Sequence, residues 1–267
     1  MGTSSPVAPG EQPKVEERWR DVLTGVSPAF RYGRRLFKHL PSEPRCKLCS
    51  APFHGPASPV MRLFGKGPWP KNPKYCNSCF KQLTQYHGGA EVDCSLLFAD
   101  VRGSTQLGET MSPTEVRDLM ERFFDVAAKV LVEHDAIVDK FVGDEIIGIF
   151  VPALSGAVHA QRAIAAARAL MVETANDGPR PWVPIGAGVD SGIAFVGSIG
   201  SGPHVELTAM GDRVNVAARL ASASAAGEIL VTSDAAAAAG IDPAGLERRD
   251  LALKGKSTPT RVFVITA

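Results

Sequence analysis

The chain has 267 residues, 45% of them apolar and 21% charged, which is enough apolar material for a packed core and excludes global disorder. Its length suits one domain of ordinary size with a smaller module, and no apolar run reaches the roughly 18 to 20 residues that cross a bilayer. A formal net charge of +1 conceals an asymmetry, since residues 1 to 90 carry 14 Lys/Arg against 5 Asp/Glu and residues 91 to 267 carry 15 against 23.

The first residues, Met1-Gly2-Thr3-Ser4-Ser5-Pro6, have neither the apolar core of a secretory signal nor the Ser or Thr of a myristoylation motif, so a cytoplasmic protein is expected. Residues 1 to 13 read as a loose tail. Residues 14 to 40 mix Arg and Lys with Trp19, Leu23, Phe30, Tyr32, Leu36 and Phe37, which predicts one or two short basic helices. Such helices pack on a neighbouring domain more often than they touch a membrane surface or nucleic acid.

Residues 41 to 90 are dense in Pro and Gly, leave no room for a long helix, and hold Cys46-x-x-Cys49 and Cys76-x-x-Cys79. Two such pairs supply the four thiolates of a tetrahedral structural zinc site, and a structural ion lets a small module fold without much core. A redox pair, an iron–sulfur cluster, or His54 or His87 as a substitute ligand are the alternatives. The fifth cysteine, Cys94, sits in an apolar run and reads as a core residue.

From residue 91 onward apolar strands alternate with well-marked helices. Cys94 to Ala99 predicts a buried strand ending on Asp100. Ser112, Pro113 and Glu115 mark a helix start with a capping box, and Val116, Leu119, Met120, Phe123, Phe124, Ala127, Val130 and Leu131 then fall on one face. Ala136 to Val142 and Glu145 to Val151 predict a hairpin whose tip is Gly143-Asp144. A helix over 156 to 174 follows, then strands near Ile185 to Asp190 and Gly192 to Val196. This order predicts an α+β fold, a ferredoxin-like antiparallel sheet with helices on one face. After it come a helix from Val214 to Ala221, a strand Glu228 to Thr232, an Ala-rich helix near Asp234 to Ala239 and a last strand Arg261 to Ile265.

Asp100 at a strand exit and Asp144 at a hairpin tip are ordinary turn residues taken singly. Brought together they form a hard oxygen site suited to Mg²⁺ or Mn²⁺ with bound phosphates. Asn215 and Arg219, four residues apart, share a helix face.

Three segments carry a resemblance: Leu97-Phe98-Ala99-Asp100-Val101-Arg102-Gly103-Ser104-Thr105, Lys140-Phe141-Val142-Gly143-Asp144, and Met210-Gly211-Asp212-Arg213-Val214-Asn215-Val216-Ala217-Ala218-Arg219. Together, in this order and spacing, they resemble the signature segments of class III adenylate and guanylate cyclases over about residues 91 to 267. The resemblance implies a cyclase catalytic domain there, behind a tail and basic segment (1 to 40) and the four-cysteine module (41 to 90). It implies two divalent metals, Mg²⁺ or Mn²⁺, on Asp100, Asp144 and the Val101 carbonyl. Asn215 would orient the ribose, Arg219 would stabilise the transition state, and Lys254 in Leu253-Lys254-Gly255-Lys256 would contact the terminal phosphates.

Base choice falls by the same resemblance to Lys140 and Thr208. An ammonium only donates, which suits N1 of adenine and opposes the N1–H of guanine, whereas the Thr208 hydroxyl both accepts and donates. ATP is therefore the expected substrate, with some GTP use. In the family each site is shared between protomers, so a homodimer with two sites is expected. The alternatives are a guanylate cyclase, a diguanylate-cyclase-like enzyme, against which the absence of Gly-Gly-Asp-Glu-Phe argues, and a silent nucleotide-binding module with a nucleic-acid-binding N-terminal unit.

Overall fold

The structure is a computed structural model that describes residues 12–37, 40, 44–70, 72–85, 88–175, 182–201 and 204–266. The start of the expected tail, residues 1 to 11, and His87 lie outside the described residues. The chain forms two compact units: one comprises residues up to Val92 with Pro152–Leu154 and Phe195–Ala209, the other the remainder. No described helix is long and apolar enough to cross a membrane.

In the first unit, α1 (Gln12–Thr24) and α2 (Pro28–Phe37) are the two basic helices the sequence predicts. They bury Trp19, Leu23 and Phe30 and leave Tyr32 and Leu36 exposed. The short α3 (Ser58–Leu63) follows, then the two-residue β1 (Pro68–Trp69), antiparallel to β2 (Asn72–Cys76), and then α4 (Asn77–Gln85). Trp69 stacks on Phe80 with ring centroids 3.5 Å apart, fixing α4 against the ribbon. At Gly33 of α2 an added Cβ would lie 2.9 Å from the Cys49 Cβ, and Arg34 Nε donates to the Leu48 carbonyl at 2.8 Å. This helix therefore rests directly on the first cysteine pair.

The second unit begins within β3 (Gly88–Val101), which runs longer than its apolar stretch suggests. A short helix, α5 (Ser104–Thr110), precedes α6 (Pro113–Glu133). The predicted capping box is present: Glu115 N donates to Ser112 Oγ at 3.3 Å and Ser112 N to the Glu115 carboxylate at 2.7 Å. The hairpin is β4 (Ile137–Val142) and β5 (Glu145–Phe150), antiparallel, turning at Gly143 with φ +63. Then come α7 (Pro152–Ser155), a single 3₁₀ turn (Gly156–Val158), α8 (His159–Ala175), and β6 (Ile185–Ser201). The last elements are β7 (His204–Met210), α9 (Asp212–Ala223), β8 (Ile229–Thr232), α10 (Ser233–Ala238), β9 (Glu247–Leu251) and β10 (Thr260–Ile265).

The strand order β4-β5-β3-β6-β8-β10-β9, with β7 beside β6, contains the ferredoxin-like arrangement in β4-β5-β3-β6, with α6 and α8 as the crossovers. The pairs β3–β5, β4–β5, β8–β10 and β9–β10 are antiparallel and β6–β8 is parallel.

The two helices of the ferredoxin-like segment, α6 and α8, share one face as its order predicts, and α9 covers the other. Strand alternation shows how: Ile229, Val231, Phe263 and Ile265 join α6, α8 and α10 in the main core, while Leu230, Val262 and Val264 face Val216 and Leu220 of α9. Two glycines bring α9 close on its side. A Cβ at Gly188 would lie 2.4 Å from the Ala217 carbonyl oxygen and 2.5 Å from the Ala221 nitrogen, and one at Gly186 would lie 2.1 Å from Ser224 Oγ. The two strands expected on either side of Ser191 are one, continuous through Gly192 at φ +145, where the Arg213 side chain occupies the space of a Cβ.

Candidate active site

The register of the central strands builds the acidic end of the site. Asp100 on β3 pairs opposite Glu145 on β5, and Val101 N donates to the Asp144 carbonyl at 3.3 Å. The hairpin tip is thereby bound to the strand exit, and the Asp100 and Asp144 carboxyl groups meet side by side. Burial raises the Asp100 pKa, the Arg102 guanidinium lowers it, and the charge of Asp144 raises it. Glu145 is pushed up to about 7 by burial and by the charges of Asp100 and Asp144. Crowded carboxylates of this kind are relieved by a divalent cation, and the hard oxygen donors fit Mg²⁺ or Mn²⁺. Sequence reasoning passed over Arg102 and Glu145; their signal was proximity, Arg102 two residues past Asp100 and Glu145 next to Asp144.

Arg102 extends the site toward α9. One terminal nitrogen pairs with the Asp100 carboxylate, and the other donates to the carbonyls of Ser222 at 3.0 Å and Ser224 at 3.4 Å. The start of α9 is anchored separately. Buried Asp190 accepts from Ser191 N at 2.8 Å, Thr232 Oγ1 at 2.6 Å and Arg213 Nη1 at 3.3 Å. Ser95 Oγ, close by in sequence to the chemistry but fully buried, bonds His159 Nδ1 at 2.8 Å and Ser191 Oγ at 2.6 Å, a polar brace inside the fold.

On the helix so held, Asn215 is exposed and Arg219 half-buried. A Cβ at Gly255 would lie 3.5 Å from an Arg219 terminal nitrogen, so the turn that carries Lys254 rests against the guanidinium. Lys256 Nζ bonds the Asp212 carboxylate and ties that turn to the first turn of α9. The structure thus assembles two sets, Asp100 with Asp144, and Asn215 and Arg219 with the Lys254 turn. Lys140 is half-exposed on β4 of the second unit, 3.9 Å from the Asp139 carboxylate, and Thr208 is buried on β7 in the first unit.

In the first unit, the Sγ atoms of Cys46, Cys49, Cys76 and Cys79 all lie within 4.8 Å of one another and are buried. Cys76 N points at Cys46 Sγ (3.3 Å) and Cys79 N at Cys76 Sγ (3.4 Å), the amide-to-sulfur bonds that stabilise thiolates. Hydrogen bonds with Cys49, Cys76 and Cys79 drive the Cys46 thiol far below its usual range, while Cys46, Cys49 and Cys76 push Cys79 up. The four sulfurs can hold one metal ion.

Comparison with known proteins agrees with this geometry. The family model described as the adenylate and guanylate cyclase catalytic domain matches residues 89–266. An uncharacterized protein of Mycobacterium tuberculosis is 33% identical over 187 residues, 67% of this chain and 34% of its own length. Adenylate cyclase 1 of Rhizobium meliloti is 32% identical over 134 residues, 48% of this chain and 20% of its own. The chain therefore spans about a third of the first relative and a fifth of the second. Among solved structures, the adenylyl cyclase CyaB from P. aeruginosa superposes with a TM-score of 0.59 at 28% identity, covering 67% of this chain and 97% of that one. The guanylyl cyclase Cya2 gives 0.60 at 29%, covering 66% and 93%. With the acidic strand end, the α9 pair and a family match over two thirds of its length, the chain belongs to the adenylate and guanylate cyclase catalytic-domain family.

Proposed function

We propose that the protein is an adenylate cyclase that converts ATP to 3′,5′-cyclic AMP and pyrophosphate at sites shared across a homodimer. The observation that carries this reading is the meeting of the Asp100 and Asp144 carboxyl groups at the strand exit. Asp100, Asp144 and the Val101 carbonyl would hold divalent metal ions, which lower the pKa of the ribose 3′-hydroxyl and neutralise charge on the polyphosphate. Asn215 orients the ribose for attack on the α-phosphate. Arg219 holds phosphoryl oxygens as charge shifts toward pyrophosphate, an interaction strongest in the transition state. Lys254 binds the terminal phosphates. Lys140 donates to N1 of adenine and the Thr208 hydroxyl accepts from the adenine amino group, favouring ATP over GTP. Zinc is the ion that best suits the four thiolates, as a structural site in the first unit. Dependence on ATP is in keeping with a cytoplasmic setting.

Cyclic nucleotide formation from ATP and from GTP, each with Mg²⁺ and Mn²⁺ over a range of protein concentration, tests the reading. Cyclic AMP formed at a rate per chain that rises with concentration is the expected result. Preferential use of GTP would make the protein a guanylate cyclase, and no product from a folded, metal-loaded protein would make it a binding module.

A further inference from the structure

The four-cysteine module carries a surface that neither the metal cluster nor the cyclase chemistry uses. Residues 44 to 90 contain seven Lys/Arg and no Asp or Glu. A divalent ion on four thiolates contributes about two negative charges, so the module stays strongly positive when loaded. At its end, Val60 and Leu63 on α3 and Phe64, the residue that caps it, stand at i, i+3 and i+4 and therefore share a face. They are 51%, 85% and 69% exposed, with Arg62 exposed and Lys66 half-exposed beside them.

This face is held out by a rigid base. Ser58 Oγ donates to the Phe53 carbonyl at 2.7 Å, Phe53 being buried. Ser78 N donates to the Gly65 carbonyl at 2.9 Å, Asn77 N to the Gly67 carbonyl at 2.9 Å, and Lys66 Nζ to Ser78 Oγ at 3.1 Å. Asn77 and Ser78 lie between Cys76 and Cys79, so the segment after α3 is tied to the second cysteine pair. Apolar side chains presented at a fixed tip within a stretch, residues 44 to 90, that has seven Lys/Arg and no Asp or Glu suit one environment, hydrocarbon lying just beneath a negatively charged surface. Two of the three tip residues are aliphatic and cannot stack on bases, which disfavours nucleic acid.

We propose that Val60, Leu63 and Phe64, flanked by Arg62 and Lys66, dock the protein onto a bilayer that contains anionic phospholipid. The two aliphatic side chains and the phenyl ring enter the headgroup boundary, and the cations remain among the phosphates.

The test is co-sedimentation of the full, metal-loaded chain with vesicles of phosphatidylcholine alone or with one third phosphatidylglycerol. Binding to the anionic vesicles only, weakened by salt, is expected. Leu63→Glu with Phe64→Glu should reduce it about tenfold or more, and Leu63→Ala with Phe64→Ala should reduce it less, with metal content and circular dichroism unchanged in both. Chelation should also release the protein, because the tip rests on the cysteine pair. No sedimentation with either vesicle, or binding that both double variants leave intact, overturns the proposal. So does a nucleic acid oligomer that displaces the protein from vesicles and loses its own binding in the same variants.

Discussion

Arg102 pairs with the Asp100 carboxylate and with the carbonyls of Ser222 and Ser224 at the end of α9 through the two terminal nitrogens of one guanidinium. One side chain thus ties the strand end that would hold metal to the helix that carries Asn215 and Arg219. Replacing Arg102 with Ala frees both. Turnover at saturating Mn²⁺ should fall about tenfold, and Arg102→Lys should recover only part of it, because an ammonium cannot span both partners. A metal titration is the check: a maximum that stays low at all Mn²⁺ concentrations marks lost positioning, whereas full recovery at high metal would assign Arg102 to metal affinity alone.

Asp144→Ala and Arg219→Ala should each abolish turnover while leaving the melting temperature within a few degrees of the parent. In a homodimer with shared sites, mixing the two folded variants with subunit exchange restores one intact site in each mixed dimer, about a quarter of wild-type activity at equal amounts. A mixture that stays silent after exchange is demonstrated would remove the shared-site model.

Lys140→Glu combined with Thr208→Cys should reverse base preference. A carboxylate accepts from the N1–H and amino group of guanine where the ammonium opposes them, so the ratio of GTP to ATP turnover should rise by about tenfold or more. Competition assays with both nucleotides read the ratio directly.

Gly188→Ala should cost about 1 to 3 kcal/mol and most of the activity, since the new methyl would collide with backbone atoms of α9 that cannot swing aside. Thermal unfolding gives the first quantity and cyclic nucleotide formation the second. A variant of unchanged stability would show that α9 is free to lift from β6.

Thiol chemistry separates the fifth cysteine from the other four. Metal-loaded protein should react slowly with a thiol reagent at neutral pH, and a chelator should release zinc, one per chain, and expose four fast thiols. Cys94 should stay slow in both states, because burial and the nearby charges of Asp93 and Asp190 push its thiol up to about 12. Five fast thiols after chelation would mean that metal loss also opens the β3 strand.

The elements that were legible in the sequence are those with strong local chemistry. The Ser112 to Glu115 box, the Gly143-Asp144 turn and the apolar stripe of α6 each state their own geometry. The two cysteine pairs likewise predict the cluster that the fold assembles. What stayed hidden depends on partners distant in sequence. β9 reads Glu-Arg-Arg-Asp-Leu, with no apolar face, and is a strand because β10 offers a ladder to it. α5 has no buried residue and β6 runs through Ser191-Gly192 where composition suggests a break. The placement of α9 on the second face follows from Gly186 and Gly188, whose spacing shows alternation but not what lies above it. Arg102 shows no role in the local sequence, because its partners Ser222 and Ser224 lie more than a hundred residues later.

The four cysteines fall within one short stretch, Cys46 to Cys79, whereas the central strand β3 needs β6 and the sheet is complete only with β10. During synthesis all four metal ligands are therefore translated before strands β4 to β10, although the compact unit that holds them is complete only with Phe195–Ala209. About 190 residues must follow Cys79 before Ile265 emerges, some ten to forty seconds at ordinary ribosomal speeds. A nascent chain starved of metal would carry its four open thiols through that whole interval.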